Sequence, residues 1–294
     1  MPSSSLRLHS LCEGAVTLRC IERFADALAQ RDLCRPGALA QIFRDMPGPS
    51  GRAPTAVLRI PELGERILLR ELRPGGFLGK LPQRRNPGPR RALEELEVTA
   101  RLREVGAPVP EPALLWSETR AGRGRLVLGT VFVEDSADAL AWLTHCNSMT
   151  DLRAGLTALA AGVRAFHDAG GSHPDLQIKN LLISPGADGE RIGTLIDLSG
   201  APPPANVPPA RRMRELMRLY RSAAKRDVLT RVGQLGLSIF LSAYTAGDRS
   251  LRRALLTALP TELARVKRHA LLYPRGRASL VAPRRPVLSG RARN

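Results

Sequence analysis

Short runs of apolar residues, separated by polar turns, recur along the first half of the chain. Residues 55–60 (Thr-Ala-Val-Leu-Arg-Ile) and 66–72 (Arg-Ile-Leu-Leu-Arg-Glu-Leu) flank a turn and predict a β-hairpin. Residues 90–105 carry apolar side chains at helical spacing, and the glycine and prolines that follow predict the end of a helix. Two further apolar runs, 113–116 and 125–133, complete a predicted order of strand, strand, helix, strand, strand.

Helical periodicity begins near residue 151. Apolar side chains recur there at spacings of three and four, which predicts one buried helical face: Leu152, Leu156, Leu159, Val163 and Phe166. Thr150 or Asp151 is expected to cap the start of this helix, and Gly170 to end it. Apolar runs at 181–183 and 194–196 flank a polar turn and predict a second hairpin.

Together these patterns predict an α+β protein with a small β-rich N-terminal lobe and a larger helical C-terminal lobe. The predicted parts are an N-terminal extension over residues 1–35, in which 21–28 form a candidate short helix, an N-lobe over 36–135, a C-lobe over 136–272, and a tail over 273–294. The tail is rich in Arg and Pro and lacks periodicity, so it is expected to be disordered.

One motif lies between the long helix and the second hairpin. Residues 173–180 read His-Pro-Asp-Leu-Gln-Ile-Lys-Asn, and the hairpin that follows ends at Asp197. Asp and Asn also form ordinary turns, but this order of helix, loop, strand, turn, strand and aspartate favours catalytic geometry. The layout can place one base and two metal ligands around a nucleotide.

Phosphoryl transfer needs positioning and charge neutralisation more than covalent chemistry from the protein. Asp175 would accept or orient the proton of the acceptor hydroxyl. Asn180 and Asp197 would bind Mg²⁺ through oxygen atoms, which suit this hard cation, and Asp197 would link the metal to the nucleotide phosphates. Lys179 could reach the transferred phosphate, and His173 is expected to brace the loop.

The formal net charge of +18 comes mostly from arginine and attracts anions such as phosphates, nucleic acid or an acidic membrane face. Aromatic residues are too sparse for a platform that stacks bases, so nucleic acid is the weaker expectation. Widely spaced cysteines, no long apolar segment and no secretory pattern at the start favour a cytoplasmic protein. Basic pairs at Arg211-Arg212 and Arg252-Arg253 and the tail could hold it peripherally at the inner membrane face.

With these residues in view, the sequence resembles the bacterial lipopolysaccharide-core sugar kinases, the Kdo/heptose kinase family of the protein-kinase-like superfamily. The resemblance covers about residues 50 to 200. Beyond the catalytic loop it rests on residues 68–81, 91–96 and 106–112, and more loosely on 125–143. It implies a bilobal protein-kinase-like fold, with ATP and Mg²⁺ as cofactors and a glycolipid or small-molecule sugar as acceptor.

Carried over by position, the resemblance makes Asp175 the catalytic aspartate, and Asn180 and Asp197 the metal and nucleotide ligands. Glu95 falls where the family's helix glutamate pairs with a cation on the preceding strand. That cation would be Arg70, which stands where protein kinases place lysine and can also grip phosphate oxygens.

Gly48 and Gly51 could form the phosphate-covering turn of such a fold. A Gly-Pro-Ser-Gly segment is more often a plain loop.

Two departures from the family pattern keep alternatives open. Asp197 is followed by Leu-Ser-Gly rather than Phe-Asp, so a second acidic residue is missing, and residues 186–190 form an insert expected to lengthen the hairpin tip. The leading expectation is phosphorylation of a sugar hydroxyl of the lipopolysaccharide inner core, Kdo or heptose. The alternatives are a kinase for another small-molecule or protein hydroxyl, and a nucleotide-binding pseudokinase.

Overall fold

The structure is a computed structural model that describes residues 7–49, 53–72, 88–120 and 123–272. These residues form two compact units. The first contains the described residues up to Val105, together with Val109–Val133 and Leu198–Pro202. The second contains Gly106–Pro108, Glu134–Asp197 and the described residues from Pro203 onward.

The first unit is built on a six-stranded antiparallel sheet. Its strands are β1 (Leu8–Glu13), β2 (Val16–Ile21), β3 (Thr55–Ile60), β4 (Glu65–Glu71), β5 (Pro112–Arg120) and β6 (Arg123–Val131). They are ordered β1-β2-β5-β6-β4-β3. The predicted hairpin of β3 and β4 is confirmed, and the two later apolar runs lie in β5 and β6, which pair with each other. The strands β1 and β2 lie in the predicted extension, yet β2 pairs with β5 and brings both into the sheet.

Apolar side chains cover both faces of this sheet. The helices of the unit are α1 (Ala25–Ala29), α2 (Ala38–Asp45) and α3 (Pro89–Glu104). Because side chains alternate along a strand, Leu114 and Trp116 of β5 pack into one buried cluster. Leu115, between them, packs into a second cluster with Leu96 of α3 and Leu128 of β6. Side chains alternate along β4 in the same way, so every second side chain of this strand faces α3.

The second unit is mainly helical, with one small sheet. Its strands are β7 (Ala137–Asp138), β8 (Leu181–Pro185) and β9 (Arg191–Leu195), and its helices are α4 (Ala139–His145), α5 (Met149–Asp168), α6 (Pro209–Ala224), α7 (Val228–Thr245) and α8 (Arg249–Leu272). The hairpin of β8 and β9 is confirmed, and the insert forms its tip, closed by a hydrogen bond from the Gly186 N–H to the Glu190 carbonyl at 2.8 Å. The expected α+β fold class is confirmed; the predicted domain limits stay predictions.

The start of α5 differs from the expected cap. Neither Thr150 nor Asp151 is the N-cap: Ser148 caps the helix, and its hydroxyl accepts the Asp151 N–H at 2.9 Å. The helix therefore begins at Met149, three residues before Leu152, the first residue of the apolar periodicity. Its end is as predicted, since Gly170 adopts a left-handed φ of 84° after the last turn.

The helix α5 and strand β9 lie at backbone contact, because glycines face each other there. A Cβ at Gly162 would lie 2.3 Å from the Gly193 carbonyl oxygen, and a Cβ at Gly193 would lie 2.4 Å from the Ala158 oxygen. No side chain fits at either position, so the hairpin of β8 and β9 is held directly on α5. Within the described residues, no helix is both long and apolar enough to cross a membrane.

Candidate active site

The loop between α5 and β8 is fixed by His173, which is fully buried. Its Nδ1 accepts the backbone N–H of Asp175 at 3.2 Å, so the ring proton lies on Nε2, which donates to the Ile196 carbonyl at 3.1 Å. Burial lowers the pKa of His173, because an apolar environment disfavours the imidazolium form. The neutral ring thus joins the loop to the residue that follows β9, which is the bracing position expected from the sequence.

Asp175 and Asn180 are joined across the loop. The amide nitrogen of Asn180 donates to the backbone carbonyl of Asp175 at 2.9 Å. This bond directs the nitrogen end of the amide into the loop and turns the oxygen end away from it. The carboxylate of Asp175 is exposed and accepts a hydrogen bond from Gln177 through Oδ2 at 2.6 Å.

The hairpin brings Asp197 beside Asn180. Antiparallel pairing of Leu181 with Leu195 places the start of β8 next to the end of β9, and the Ile196 N–H donates to the Asn180 carbonyl at 2.9 Å. Asp197 therefore directly follows Ile196, the residue whose backbone is hydrogen-bonded to Asn180. Its φ of 63° lies in the left-handed region, which aspartate tolerates better than most residues and which turns the chain sharply out of the strand.

Two other predicted site residues, Lys179 and Gly48, lie in the loop and next to β3, respectively. Lys179 is exposed in the short 3₁₀ turn Ile178–Asn180. Gly48 lies beside the start of β3, where its N–H donates to the Thr55 carbonyl at 3.0 Å. Gly51 lies outside the described residues. The phosphate-covering role of these two glycines stays a prediction.

Within the first unit, Arg70 and Glu95 form an ion pair. Arg70 is on β4, on the face toward α3, because its neighbour Leu69 points into the opposite core cluster. Its Nη2 lies 2.8 Å from Oε1 of Glu95, whose side chain is only 4 % exposed, while that of Arg70 is 30 % exposed. The pair predicted between the strand cation and the helix glutamate is therefore present. Because Arg70 is the more exposed partner, it is the group that solutes can reach.

One buried carboxylate that sequence reasoning missed secures the start of the loop. Glu215 of α6 is 2 % exposed and accepts hydrogen bonds from the Ser172 hydroxyl, from the His173 N–H at 2.9 Å and from His167 Nε2 at 3.1 Å. Burial alone would raise the pKa of Glu215, but the hydrogen bonds from His167, Ser172 and His173 outweigh it and hold the pKa below its usual value. Glu215 lies 42 residues from His173, so no local pattern marks the contact.

The same network continues to α7. Nδ1 of His167 lies 2.7 Å from the hydroxyl of Tyr244, which is fully buried. Burial raises the pKa of Tyr244 to about 12, so the phenol is protonated at neutral pH. Glu215, His167 and Tyr244 thus connect α6, α5 and α7 beneath the loop.

The oxygen donors at the end of the hairpin fit a magnesium ion that shares its coordination with phosphates. Among the described residues there is no group of three or more His, Cys, Asp or Glu side chains suited to hold a metal ion. Magnesium in nucleotide sites, however, is often held by one or two protein carboxylates and completed by phosphate oxygens and water. One amide oxygen at Asn180 and one carboxylate at Asp197 match that donor set.

The helices of the second unit also enclose an apolar cavity of about 500 Å³. Ile178 and Leu181, on either side of Lys179 and Asn180, line one wall of it. Leu256 and Leu263 of α8 line another part and are 47 % and 39 % exposed, so the cavity reaches the protein surface near α8.

An antiparallel sheet followed by helices, with an Asp, Asn and Asp set around a hairpin, is the element order and residue set expected of a kinase-like phosphotransferase. The model of the lipopolysaccharide kinase (Kdo/WaaP) family matches residues 62–243, and the chain therefore belongs to that family of phosphotransferases. The fold is similar to a solved structure described as WaaP in complex with acyl carrier protein, with a TM-score of 0.55 and 20 % identity over 87 % of this chain and 99 % of that chain. No sequence among the curated proteins matches significantly.

Proposed function

We propose that this lipopolysaccharide kinase transfers the γ-phosphoryl group of ATP to a sugar hydroxyl of the lipopolysaccharide inner core, Kdo or heptose, with Mg²⁺. The observation that carries the proposal is the loop geometry: the Asp175 carboxylate is exposed, and the Asn180 amide, which donates to the Asp175 backbone carbonyl, is set beside Asp197. Family membership supports the acceptor class.

In this reaction the acceptor hydroxyl oxygen forms a bond to the γ-phosphorus while the bond from that phosphorus to the bridging oxygen breaks. The bonding electron pair leaves on ADP, and the hydroxyl proton passes to Asp175. Asp175 suits this role because its carboxylate is exposed and oriented by a hydrogen bond. Its second task is to hold the hydroxyl in line with the phosphorus, which contributes much of the rate in such reactions.

Asn180 and Asp197 would hold Mg²⁺, which neutralises phosphate charge when bound. In the first unit, Arg70 would bind phosphate oxygens of the nucleotide while Glu95 fixes its position through the 2.8 Å ion pair. Lys179 would contact the transferred phosphate from the loop.

The surface arginines support a peripheral membrane contact to different degrees. Arg211 donates to Ser172 and Arg212 to Asp168, each at 2.6 Å, so both are engaged within the second unit. Arg252 and Arg253 are exposed on α8. Each basic residue near an anionic surface contributes on the order of 1 kcal/mol, so we propose that α8 makes the contact.

The apolar cavity supports an acyl group as a further ligand, and an acyl carrier protein as the partner that delivers it. The similar structure was described in complex with acyl carrier protein, and the cavity here opens beside exposed Leu256 and Leu263. Binding of acylated and unacylated carrier protein to the wild type and to Leu256→Asp tests this. Preference for the acylated form, lost in the variant, supports the proposal; equal binding of both forms by both proteins contradicts it.

The function itself is tested by incubating the protein with ATP, Mg²⁺ and deacylated lipopolysaccharide core, and by locating the added phosphate by mass spectrometry. A phosphate on Kdo or heptose supports the proposal. Nucleotide binding without transfer to any core sugar would favour the pseudokinase alternative. Transfer to an aminoglycoside or a protein hydroxyl instead would favour the other kinase alternatives.

A further inference from the structure

A chain of hydrogen bonds leads from the end of α6 to the carboxylate of Asp175. Arg226, just beyond the helix, donates from Nη1 to the carbonyl and the hydroxyl of Ser222, both at 3.0 Å. Its Nη2 donates to Oε1 of Gln177 at 3.2 Å. Gln177 in turn donates from Nε2 to Oδ2 of Asp175 at 2.6 Å. All four residues belong to the second unit.

The direction of these bonds fixes which way the Gln177 amide points. A side-chain amide has one accepting end and one donating end, whereas a guanidinium only donates. Arg226 therefore donates to the oxygen end of the Gln177 amide, which leaves the NH₂ end to face Asp175. Without Arg226 the oxygen end of the Gln177 amide loses its donor, and the side chain is free to move together with the Asp175 carboxylate.

Ser222 fixes the backbone of the loop at the next residue. Its hydroxyl accepts the Ile178 N–H at 3.0 Å, and Ser222 is buried, with an exposure of 5 %. The same helix end thus holds the Gln177 side chain through Arg226 and the adjacent backbone through Ser222. Two attachments at consecutive loop residues restrict both the position and the rotation of the Gln177 side chain.

We infer that Gln177 and Arg226 are positioning residues that set the rotation of the Asp175 carboxylate. Because Oδ2 is engaged by Gln177, Oδ1 is the oxygen presented to the acceptor hydroxyl. Small errors in the placement of a base reduce the chemical step rather than substrate binding. This inference rests on the proposed function, since it assigns Asp175 the role of base.

The test is steady-state kinetics of phosphate transfer to deacylated lipopolysaccharide core by the full-length wild type and its variants. Gln177→Glu keeps the size of the side chain and an oxygen toward Arg226 but replaces the donor that faces Asp175 with a second oxygen. We expect kcat to fall about tenfold or more, with KM for ATP and core changed less than about twofold. Arg226→Ala should lower kcat about tenfold, and Arg226→Lys should restore most of it, because an ammonium group can still donate to Gln177.

The matched control is Lys225→Ala, which removes a neighbouring exposed cation. It should keep wild-type kcat.

In the double variant Gln177→Glu with Arg226→Ala, kcat should fall no further than in Gln177→Glu alone, because both changes interrupt one chain of contacts. The melting temperature of each variant shows whether folding is retained, and a lowered kcat with a wild-type melting temperature separates positioning from a structural role.

Unchanged kcat in Gln177→Glu and Arg226→Ala, with Asp175→Ala inactive, would overturn the inference and leave the proposed function standing. Losses in Arg226→Ala that Arg226→Lys does not restore, or that appear equally in Lys225→Ala, would also overturn it. Full activity of Asp175→Ala would instead remove the proposed function.

Discussion

Replacing Glu215 tests whether the loop that carries Asp175 depends on one buried carboxylate. In Glu215→Ala the Ser172 hydroxyl, the His173 N–H and the His167 ring all lose their acceptor while they stay buried. Glu215→Gln is milder. Its single oxygen can still serve His173, while its NH₂ can donate to Ser172, because a hydroxyl both donates and accepts.

The expected magnitudes follow from these contacts. A hydrogen bond to a charged group contributes about 1.5–3 kcal/mol, and removal of one partner from a buried, hydrogen-bonded charge cluster costs about 3–5 kcal/mol. We therefore expect the free energy of unfolding to fall by about 4 kcal/mol in Glu215→Ala and by about 2 kcal/mol in Glu215→Gln.

Urea unfolding measures both values. Glu97→Gln is the control, because Glu97 lies 3.8 Å from Arg101 in a partly exposed surface pair, and such pairs contribute at most about 1 kcal/mol. If the free energy of unfolding of Glu215→Ala is as close to the wild-type value as that of the control, the stabilising role assigned to Glu215 is refuted. A larger loss in Glu215→Gln than in Glu215→Ala would refute it as well.

Three other predictions address pH, packing and nucleotide binding. The lowered pKa of Glu215 means that its stabilisation is fully present above the ordinary glutamate pKa of about 4.3 and is lost as pH falls through the native pKa. The difference in melting temperature between the wild type and Glu215→Gln should therefore be constant from neutral pH down to about 5 and shrink below about 4; a gap that widens in acid would contradict this. Gly162→Ala places a methyl group 2.3 Å from the Gly193 oxygen and should lower the free energy of unfolding by at least about 1–3 kcal/mol, whereas wild-type stability would contradict the close approach. Arg70→Ala should raise KM for ATP about tenfold, and Arg70→Lys should raise it much less because the ion pair with Glu95 survives; equal effects of the two variants would exclude a role for the charge.

The sequence predicted those elements whose pattern is local. The strands β3 and β4 and the helix α3 were visible because each buries one face, which leaves apolar residues at a regular spacing. The pair Arg70 and Glu95 was found because the family resemblance names both positions.

The strands β1 and β2 were missed for different reasons. In β1 most side chains are exposed, so its sequence carries no apolar alternation. In β2, Val16, Leu18 and Cys20 alternate with less buried residues, and this signal was available in the sequence.

The supports of the loop could not be predicted because they are distant in sequence. Glu215, Ser222 and Arg226 contact the loop over separations of more than 40 residues. Glu215 and Ser222 lie in α6 and Arg226 lies just after it, in a stretch whose pattern indicates only helix. Ser148 was missed as the cap of α5 because the apolar periodicity of this helix starts later than the helix itself.

The most direct test of the central claim is single-turnover transfer of phosphate from ATP to deacylated lipopolysaccharide core by Asp175→Asn. Asp188→Asn is the matched control, since Asp188 is exposed at the hairpin tip. We predict that Asp175→Asn binds ATP as the wild type does and slows transfer about 100-fold or more, the loss typical of removing a general base, while Asp188→Asn is unchanged. Transfer by Asp175→Asn at the wild-type rate would contradict the assignment of Asp175 as the base.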